Sequence, residues 1–230
     1  MKRVVVFSGA GISAESGIKT FRDSGGLWEN YAIEDVATPG AWNKNQDLVL
    51  DFYNQRRQQV MDAKPNPAHL ALVELEKHFE VFIITQNIDN LHERAGSTNV
   101  LHLHGEIMKA RSTVNPQLIY SLEKAEIKKG DCCELGSQLR PHIVWFGEMV
   151  PNMEPAIEIS QTADVFLVIG TSLAVYPAAS LLEFAPENAM KVLVDPNAAH
   201  QNIRKDFSVI NESAGVGVPQ IIEKLIKTYV

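Results

Sequence analysis

The sequence predicts an α/β fold: a Rossmann-like, doubly wound parallel sheet with a smaller lobe inserted into it. Three observations carry that expectation. Residues 4–23 run Val-Val-Val-Phe-Ser-Gly-Ala-Gly-Ile-Ser-Ala-Glu-Ser-Gly-Ile-Lys-Thr-Phe-Arg-Asp, a β-branched apolar run that breaks at a glycine turn. Similar short runs recur at 81–84, 100–103, 143–146, 165–169 and 192–194, with 209–210 as a short edge. Helical patterns at 153–161, 177–184 and 219–228 lie between several of them, the alternation of a parallel sheet. Two long excursions, about 29–79 and 106–141, interrupt it. They would form the smaller lobe, leaving a core of about 1–28, 80–105 and 142–230 within a single domain, residues 1–230.

Composition narrows the class. The 230 residues are 45% hydrophobic and 21% charged, enough for one sizeable core and an appended lobe. A net charge of −7 with no block of like charges argues against nucleic acid as the main partner. No apolar run reaches the length of a membrane span, so no membrane is expected either. The only cysteines, Cys132 and Cys133, are adjacent; they imply no disulfide framework and fit a reducing compartment. Met1-Lys2-Arg3 imitates the charged start of a signal peptide, but the apolar run behind it is too short for one. A cytoplasmic protein is expected.

In chain order, residues 4–7 read as a buried parallel strand. At Ser8-Gly9-Ala10-Gly11 side-chain bulk almost vanishes; Ser13 is placed to cap a short helix near 14–16, and Gly17 to end it. Strand, glycine turn and helix start form the geometry that aims bare backbone N–H groups at a pyrophosphate. A dehydrogenase fingerprint continues into a second strand with an acidic end about 20 residues on. Here Phe21-Arg22-Asp23-Ser24-Gly25-Gly26-Leu27-Trp28 is instead a polar, glycine-broken loop, and an Arg at 22 can fork onto phosphate oxygens. The stretch binds a dinucleotide but departs from the hydride-transfer plan.

Within the first excursion, 46–61 and 67–78 read as helices, the second with Pro67 in its first turn and Asn66 before it. Thr85-Gln86-Asn87-Ile88-Asp89 follows a strand, where ligands of open α/β sheets bind. An Asn and an Asp there can hold a ribose hydroxyl and a carboxamide, or cap the next helix. Leu101-His102-Leu103-His104-Gly105 ends another strand. Alternation puts both imidazoles on one face, so geometry alone does not choose between them. Gly105, leaving open backbone beside it, favours His104. Imidazole titrates near neutrality and suits a base that takes a proton from a hydroxyl.

The string Gly9-Ala10-Gly11-Ile12-Ser13, then Ser16-Gly17-Ile18 and Phe21-Arg22, resembles the cofactor loop of the sirtuins, NAD-consuming protein-lysine deacylases. Further motifs follow in the family's order over nearly the whole chain. The resemblance implies that Gly9, Ala10, Gly11, Ser13, Phe21 and Arg22 hold NAD. It implies that Gln86 and Asn87 reach the nicotinamide ribose, that Ile88 and Asp89 line the nicotinamide pocket, and that His104 is the general base. Gly170, Thr171 and Ser172 would hold ribose and phosphate. Asp195 and Asn197 would face the adenosine, with Asp195 where the family usually has Asn, and Gly215 would abut the adenine. Residues 143–148 resemble the family's substrate-pairing strand, which sets Val144, Phe146 and Gly147 against an extended acyl-lysine peptide bound through its backbone.

Two features subdivide the family. Tyr53 and Arg56 share a helix face at i, i+3, and Ala37 stands 16 positions before the Tyr. This resembles the subgroup that removes succinyl and malonyl groups, in which phenol and guanidinium grip the acyl carboxylate and a small residue leaves room for it. Most sirtuins also close a zinc site with two Cys-x-x-Cys pairs. This chain has Arg111-Ser112-Thr113 where the first pair would begin and only Cys132 and Cys133 later, so its second excursion resembles a degenerate zinc ribbon and no metal is expected. The resemblance thus implies an NAD-dependent deacylase of succinyl-, malonyl- and acetyl-lysine in proteins or peptides, giving nicotinamide and 2′-O-acyl-ADP-ribose. Two other classes stand beside it. An NAD-dependent dehydrogenase is disfavoured by the missing second strand, and a non-catalytic NAD or ADP-ribose sensor by His104 and the Tyr53–Arg56 pair.

Overall fold

A computed structural model describes residues 1–19, 31–173, 175–198 and 204–230. The apolar runs become strands β1 (Arg3–Ser8), β2 (Glu80–Thr85), β3 (Val100–His102), β4 (Gly105–Ser112), β5 (Ile119–Ser121), β6 (Leu139–Ile143), β7 (Val165–Ile169), β8 (Met190–Val194) and β9 (Phe207–Ile210). Six of them form one sheet in the order β3-β2-β1-β7-β8-β9, parallel throughout. The chain winds outward from β1 one way and from β7 the other, so the topological switch point lies between those two strands.

These strands are near-continuous apolar runs because both faces of the sheet are covered. Val4, Val6, Ile83 and Leu167 meet Leu72 and Leu75 of helix α4 (Pro67–Glu76) and Ile222 and Leu225 of α7 (Ala214–Tyr229). On the opposite face Val5, Phe7, Ile84 and Phe166 meet Ala156 of α6 (Met153–Ser160) and Leu181 of a 3₁₀ segment, Ala178–Glu183. Asn66 caps α4, its side-chain oxygen accepting from the Ala68 N–H at 2.9 Å while its amide donates to the Ile12 carbonyl at 2.7 Å. Among the described residues no helix is long and apolar enough to cross a membrane.

The smaller lobe joins helices α1 (Ile33–Val36), α2 (Pro39–Lys44) and α3 (Gln46–Asp62) to an antiparallel sheet, β5-β4-β6. Its core gathers Val36, Trp42, Leu50, Phe52, Tyr53, Ile107, Ile143 and Trp145, together with Leu91 of α5 (Leu91–Ala95). The wholly buried Arg57 ties α3 to β4: its Nε donates to the Ile107 carbonyl at 2.6 Å and its Nη1 to Asn54 Oδ1 at 2.9 Å. Only Leu103 and His104 separate β3, in the large sheet, from β4, in the small one.

Four expectations need correction. The run at 143–146 does not continue as a strand of the large sheet; β6 stops at Ile143 and pairs with β4, and Phe146 and Gly147 form a turn. The helix expected at 177–184 is a 3₁₀ segment. That expected at 219–228 starts at Ala214 and takes Pro219 inside it. Ser13 makes no side-chain cap; it lies between two 3₁₀ turns, Ala10–Ile12 and Ala14–Ser16, and its hydroxyl is committed to Asp89.

Candidate active site

At the switch point the turns after β1 and β7 pack backbone against backbone. The Gly11 N–H donates to the Gly170 carbonyl at 2.8 Å. A Cβ on Gly11 would stand 2.7 Å from Gly170 Cα, and one on Gly9 2.8 Å from Thr171 Cβ. The approach therefore requires residues without side chains. Above these turns a cavity of about 680 Å³ opens between the sheet's carboxyl edge and the smaller lobe. Its walls include Gly9, Ala10, Gly11 and Ser13 from the first turn and Gly170, Thr171 and Ser172 from the second.

The segment after β2 supplies polar groups already tied to both turns. Gln86 Nε2 donates to Thr171 Oγ1 at 3.0 Å, and Asn87 Nδ2 to Ser13 Oγ at 3.1 Å. Ser13 Oγ in turn donates to Asp89 Oδ2 at 3.0 Å, and Asp89 Oδ1 accepts from the Leu91 N–H. Asp89 is thus a pocket wall that also holds the Leu91 N–H at the start of the next helix, and burial raises its carboxyl above the usual carboxylate range. Beneath this layer Ser8 Oγ meets Thr85 Oγ1 at 2.9 Å and His92 Nε2 at 3.0 Å, buried partners that sequence reading passed over.

The two histidines part company. His104 lines the cavity; its Nδ1 lies 3.0 Å from the Gln86 carbonyl, which can only accept, so the proton sits on Nδ1 and Nε2 keeps its lone pair. Burial lowers its pKa below the ordinary imidazole value, against a smaller upward push from that hydrogen bond. His102 faces acceptors on both nitrogens, the Asn87 carbonyl at 2.8 Å and Glu93 Oε1 at 2.7 Å. Burial opposes its charge, but the hydrogen bond and charge of Glu93 outweigh that and raise its pKa. His102 is a buried imidazolium held from two sides, and it lies outside the cavity wall.

The lobe side of the cavity is where Ala37, Tyr53 and Arg56 come together. Tyr53 is wholly buried, and its Oη accepts the indole N–H of Trp145 at 3.1 Å. Burial drives its phenol well above the usual range, so it stays protonated. Arg56 is also buried, its guanidinium 5.6 Å from the Phe52 ring centroid. Residues 144–147 form a neighbouring wall: the Val144 N–H donates to the His104 carbonyl at 2.9 Å and the Phe146 N–H to the Ala37 carbonyl at 3.0 Å. Phe146 is half exposed at the mouth, and Gly147 turns the chain away.

Asp195 and Asn197 line the far end, where Asp195 Oδ1 accepts the Asn197 N–H at 2.8 Å. Gly215 does not line the cavity. It sits in the first turn of α7 with its N–H on Glu15 Oε2 at 2.6 Å, and Ser213 and Ala214 are the residues that reach the wall. Phe21 and Arg22 lie outside the described residues. Sequence reading missed Trp145, buried between the two walls; the available signal was an indole N–H in an apolar run, which must find an acceptor when buried.

The residues fit a dinucleotide: two glycine turns in backbone contact at a switch point, amides and hydroxyls in a linked row, and a cavity whose walls include both Asp195 and His104. They do not fit zinc in the smaller lobe. Buried Cys133 is met by hydroxyls, Ser112 Oγ at 3.4 Å and Ser137 Oγ at 3.2 Å, while Cys132 is exposed. Among the described residues no three His, Cys, Asp or Glu side chains converge as a metal set.

Residues 9–177 match the family model described as "Sir2 family". The chain is 53% identical over 227 residues to an "NAD-dependent protein deacylase" of Helicobacter pylori, covering 99% of both chains. It is 50% identical over 231 residues to a Bacteroides thetaiotaomicron protein of the same name, covering 98% of this chain and 99% of that one. A solved "Sir2 homolog-NAD complex" superimposes with a TM-score of 0.88 at 38% identity, over 100% of this chain and 91% of the other. With the family model matching residues 9–177 and relatives matching along nearly the whole chain, the chain belongs to the Sir2 family.

Proposed function

We propose that this chain is an NAD-dependent protein-lysine deacylase that removes succinyl and malonyl groups, with deacetylation as a second activity. The observation that carries the acyl preference is the buried Tyr53–Arg56 pair, set beside Ala37 in the same cavity that His104 lines. NAD fits the glycine turns and the Gln86–Asn87 row, and when bound it supplies the ADP-ribosyl group that accepts the acyl chain as nicotinamide leaves.

The chain's own contribution is positional and acid–base. Gln86 holds Nδ1–H of His104 through its carbonyl, leaving Nε2 to take a proton from a hydroxyl in the cavity. The lowered pKa keeps that lone pair available at neutral pH. Acylated protein enters along 144–147, where an extended peptide can bond through backbone with little demand on its sequence. At the end of the acyl group a succinyl carboxylate must leave water, which is costly for an unpaired charge. The Arg56 guanidinium can meet it with two parallel bonds and the protonated Tyr53 phenol can add a third.

One peptide carrying acetyl-, succinyl- or malonyl-lysine tests this. Charged hydrogen bonds are worth about 1.5–3 kcal/mol each, so Arg56→Met should lower the ratio of succinyl to acetyl kcat/KM by about 10–100-fold. A ratio unmoved by Arg56→Met would refute the acyl preference. Absence of nicotinamide release with every acyl-lysine would favour a sensor, and reduction of NAD a dehydrogenase.

A further inference from the structure

The Tyr53 phenol is held by a chain of contacts that runs through Trp145 and Glu148, both on the cavity wall, to Arg140 behind it. Glu148 accepts Arg140 Nη1 at 2.7 Å and Nη2 at 3.0 Å, and Arg140 Nη2 also donates to the Ile143 carbonyl at 3.0 Å. The same Glu148 accepts the backbone N–H of Trp145 at 2.8 Å. The Arg140 guanidinium carbon lies 3.3 Å from the Trp145 ring centroid, stacked on the indole face. The indole is thus fixed through its backbone and its face, and its single polar atom donates to Tyr53 Oη at 3.1 Å.

An indole N–H is only a donor. The phenol oxygen must therefore accept on that side, and its own O–H cannot point back at Trp145. The O–H donor therefore lies off the indole side, and Tyr53 and Arg56 both line the cavity. Burial keeps the phenol protonated and hence a donor.

We infer that Trp145 is the positioning residue for acyl selectivity: clamped by Arg140 and Glu148, it orients the Tyr53 hydroxyl as a donor to an acidic acyl group. The inference rests on the succinyl and malonyl reading above. Trp145 itself need not touch the carboxylate.

The test replaces Trp145 in wild-type and Tyr53→Phe backgrounds and measures kcat and KM on one peptide with succinyl- or acetyl-lysine. Trp145→Phe removes the N–H; β-(3-benzothienyl)alanine at position 145 removes it while keeping the bicyclic shape and the stack under Arg140. In the wild-type background either change should lower the succinyl-to-acetyl ratio about 3–10-fold, the worth of one hydrogen bond, carried mainly in the succinyl KM. In the Tyr53→Phe background the same change should move the ratio less than about twofold, since the group it orients is gone. An unmoved ratio, or an equal loss in both backgrounds, overturns the inference. Arg56→Met keeps the two claims apart. If it leaves the ratio unchanged, the substrate reading fails; if it lowers the ratio and the Trp145 replacements do not, only the role of Trp145 fails. Should Trp145→Phe not fold, the isostere decides alone.

Discussion

Gly105→Ala tests how the base is held. Gly105 opens β4 with φ 81°, and a Cβ there would stand 2.1 Å from the His142 carbonyl oxygen and 3.0 Å from Ile143 Cα. The first distance is more than about 1 Å inside ordinary contact. The left-handed backbone alone costs an alanine about 1–2 kcal/mol. Relief requires β4 and β6 to part where Gly105 faces Ile143, with loss of one or two ladder bonds at about 1 kcal/mol each. A total of about 3 kcal/mol corresponds, at about 2–4 °C per kcal/mol for a chain of this size, to a Tm lower by about 6–12 °C. His104 immediately precedes this residue, and its carbonyl holds the Val144 N–H. A displacement of about 1 Å there can cost about 10²-fold in turnover. Nicotinamide release at saturating NAD and peptide, alongside thermal melting, reads both effects. Gly130→Ala is the control: φ is 99° but nothing lies within 4 Å, so only the strain should appear, with turnover unchanged. The reasoning is refuted if Gly105→Ala keeps more than half the wild-type turnover, or if Gly130→Ala destabilises as much.

Further outcomes follow from the two histidines and the smaller lobe. His104→Ala should cut turnover by about 10²-fold or more with NAD binding and Tm near wild type, whereas His102→Ala should lower Tm; the reverse pattern would exchange their roles. Because the folded pKa of His104 is lowered, the acid limb of kcat/KM should fall below the ordinary imidazole value of about 6.5, and a limb at 7 or above would contradict a neutral buried base. The folded pKa of His102 is raised, so its bond to Glu93 contributes fully below about pH 6.5 and fades as pH rises through the folded value. Glu93→Gln should therefore lower Tm more at pH 6 than at pH 9, and equal losses would count against an imidazolium. Purified protein should carry well under one zinc per chain and melt unchanged in chelator; stoichiometric zinc by elemental analysis would mean that the Cys133 cluster is rebuilt around a metal.

The sequence was legible where burial was uniform along an element. Strands β1, β2, β7 and β8 are covered on both faces, so they appear as unbroken apolar runs, and the glycines after β1 announce a close approach of backbone. The small sheet was not legible for the opposite reason. In β4 the pairing with β6 shifts register between Glu106 and Ala110, which breaks the inside–outside alternation, and β6 carries Arg140 and Pro141 in its middle. The start of α7 was hidden by Gly215, Gly217 and Pro219; in the structure Glu15 accepts the Gly215 N–H, and Gly217 sits close against Val194 of β8. The choice between His102 and His104 turned on Gly105 in the sequence. In the structure the two rings differ in their acceptors, two around His102 and one beside His104, which no spacing encodes.

The two-residue join between β3 and β4 has a mechanical consequence. His104 lies in the join itself, bonded backward to the Gln86 carbonyl and forward to the Val144 N–H. The imidazole is therefore tied to both sheets at once, and a substitution that displaces either sheet at this join displaces Nε2 with it.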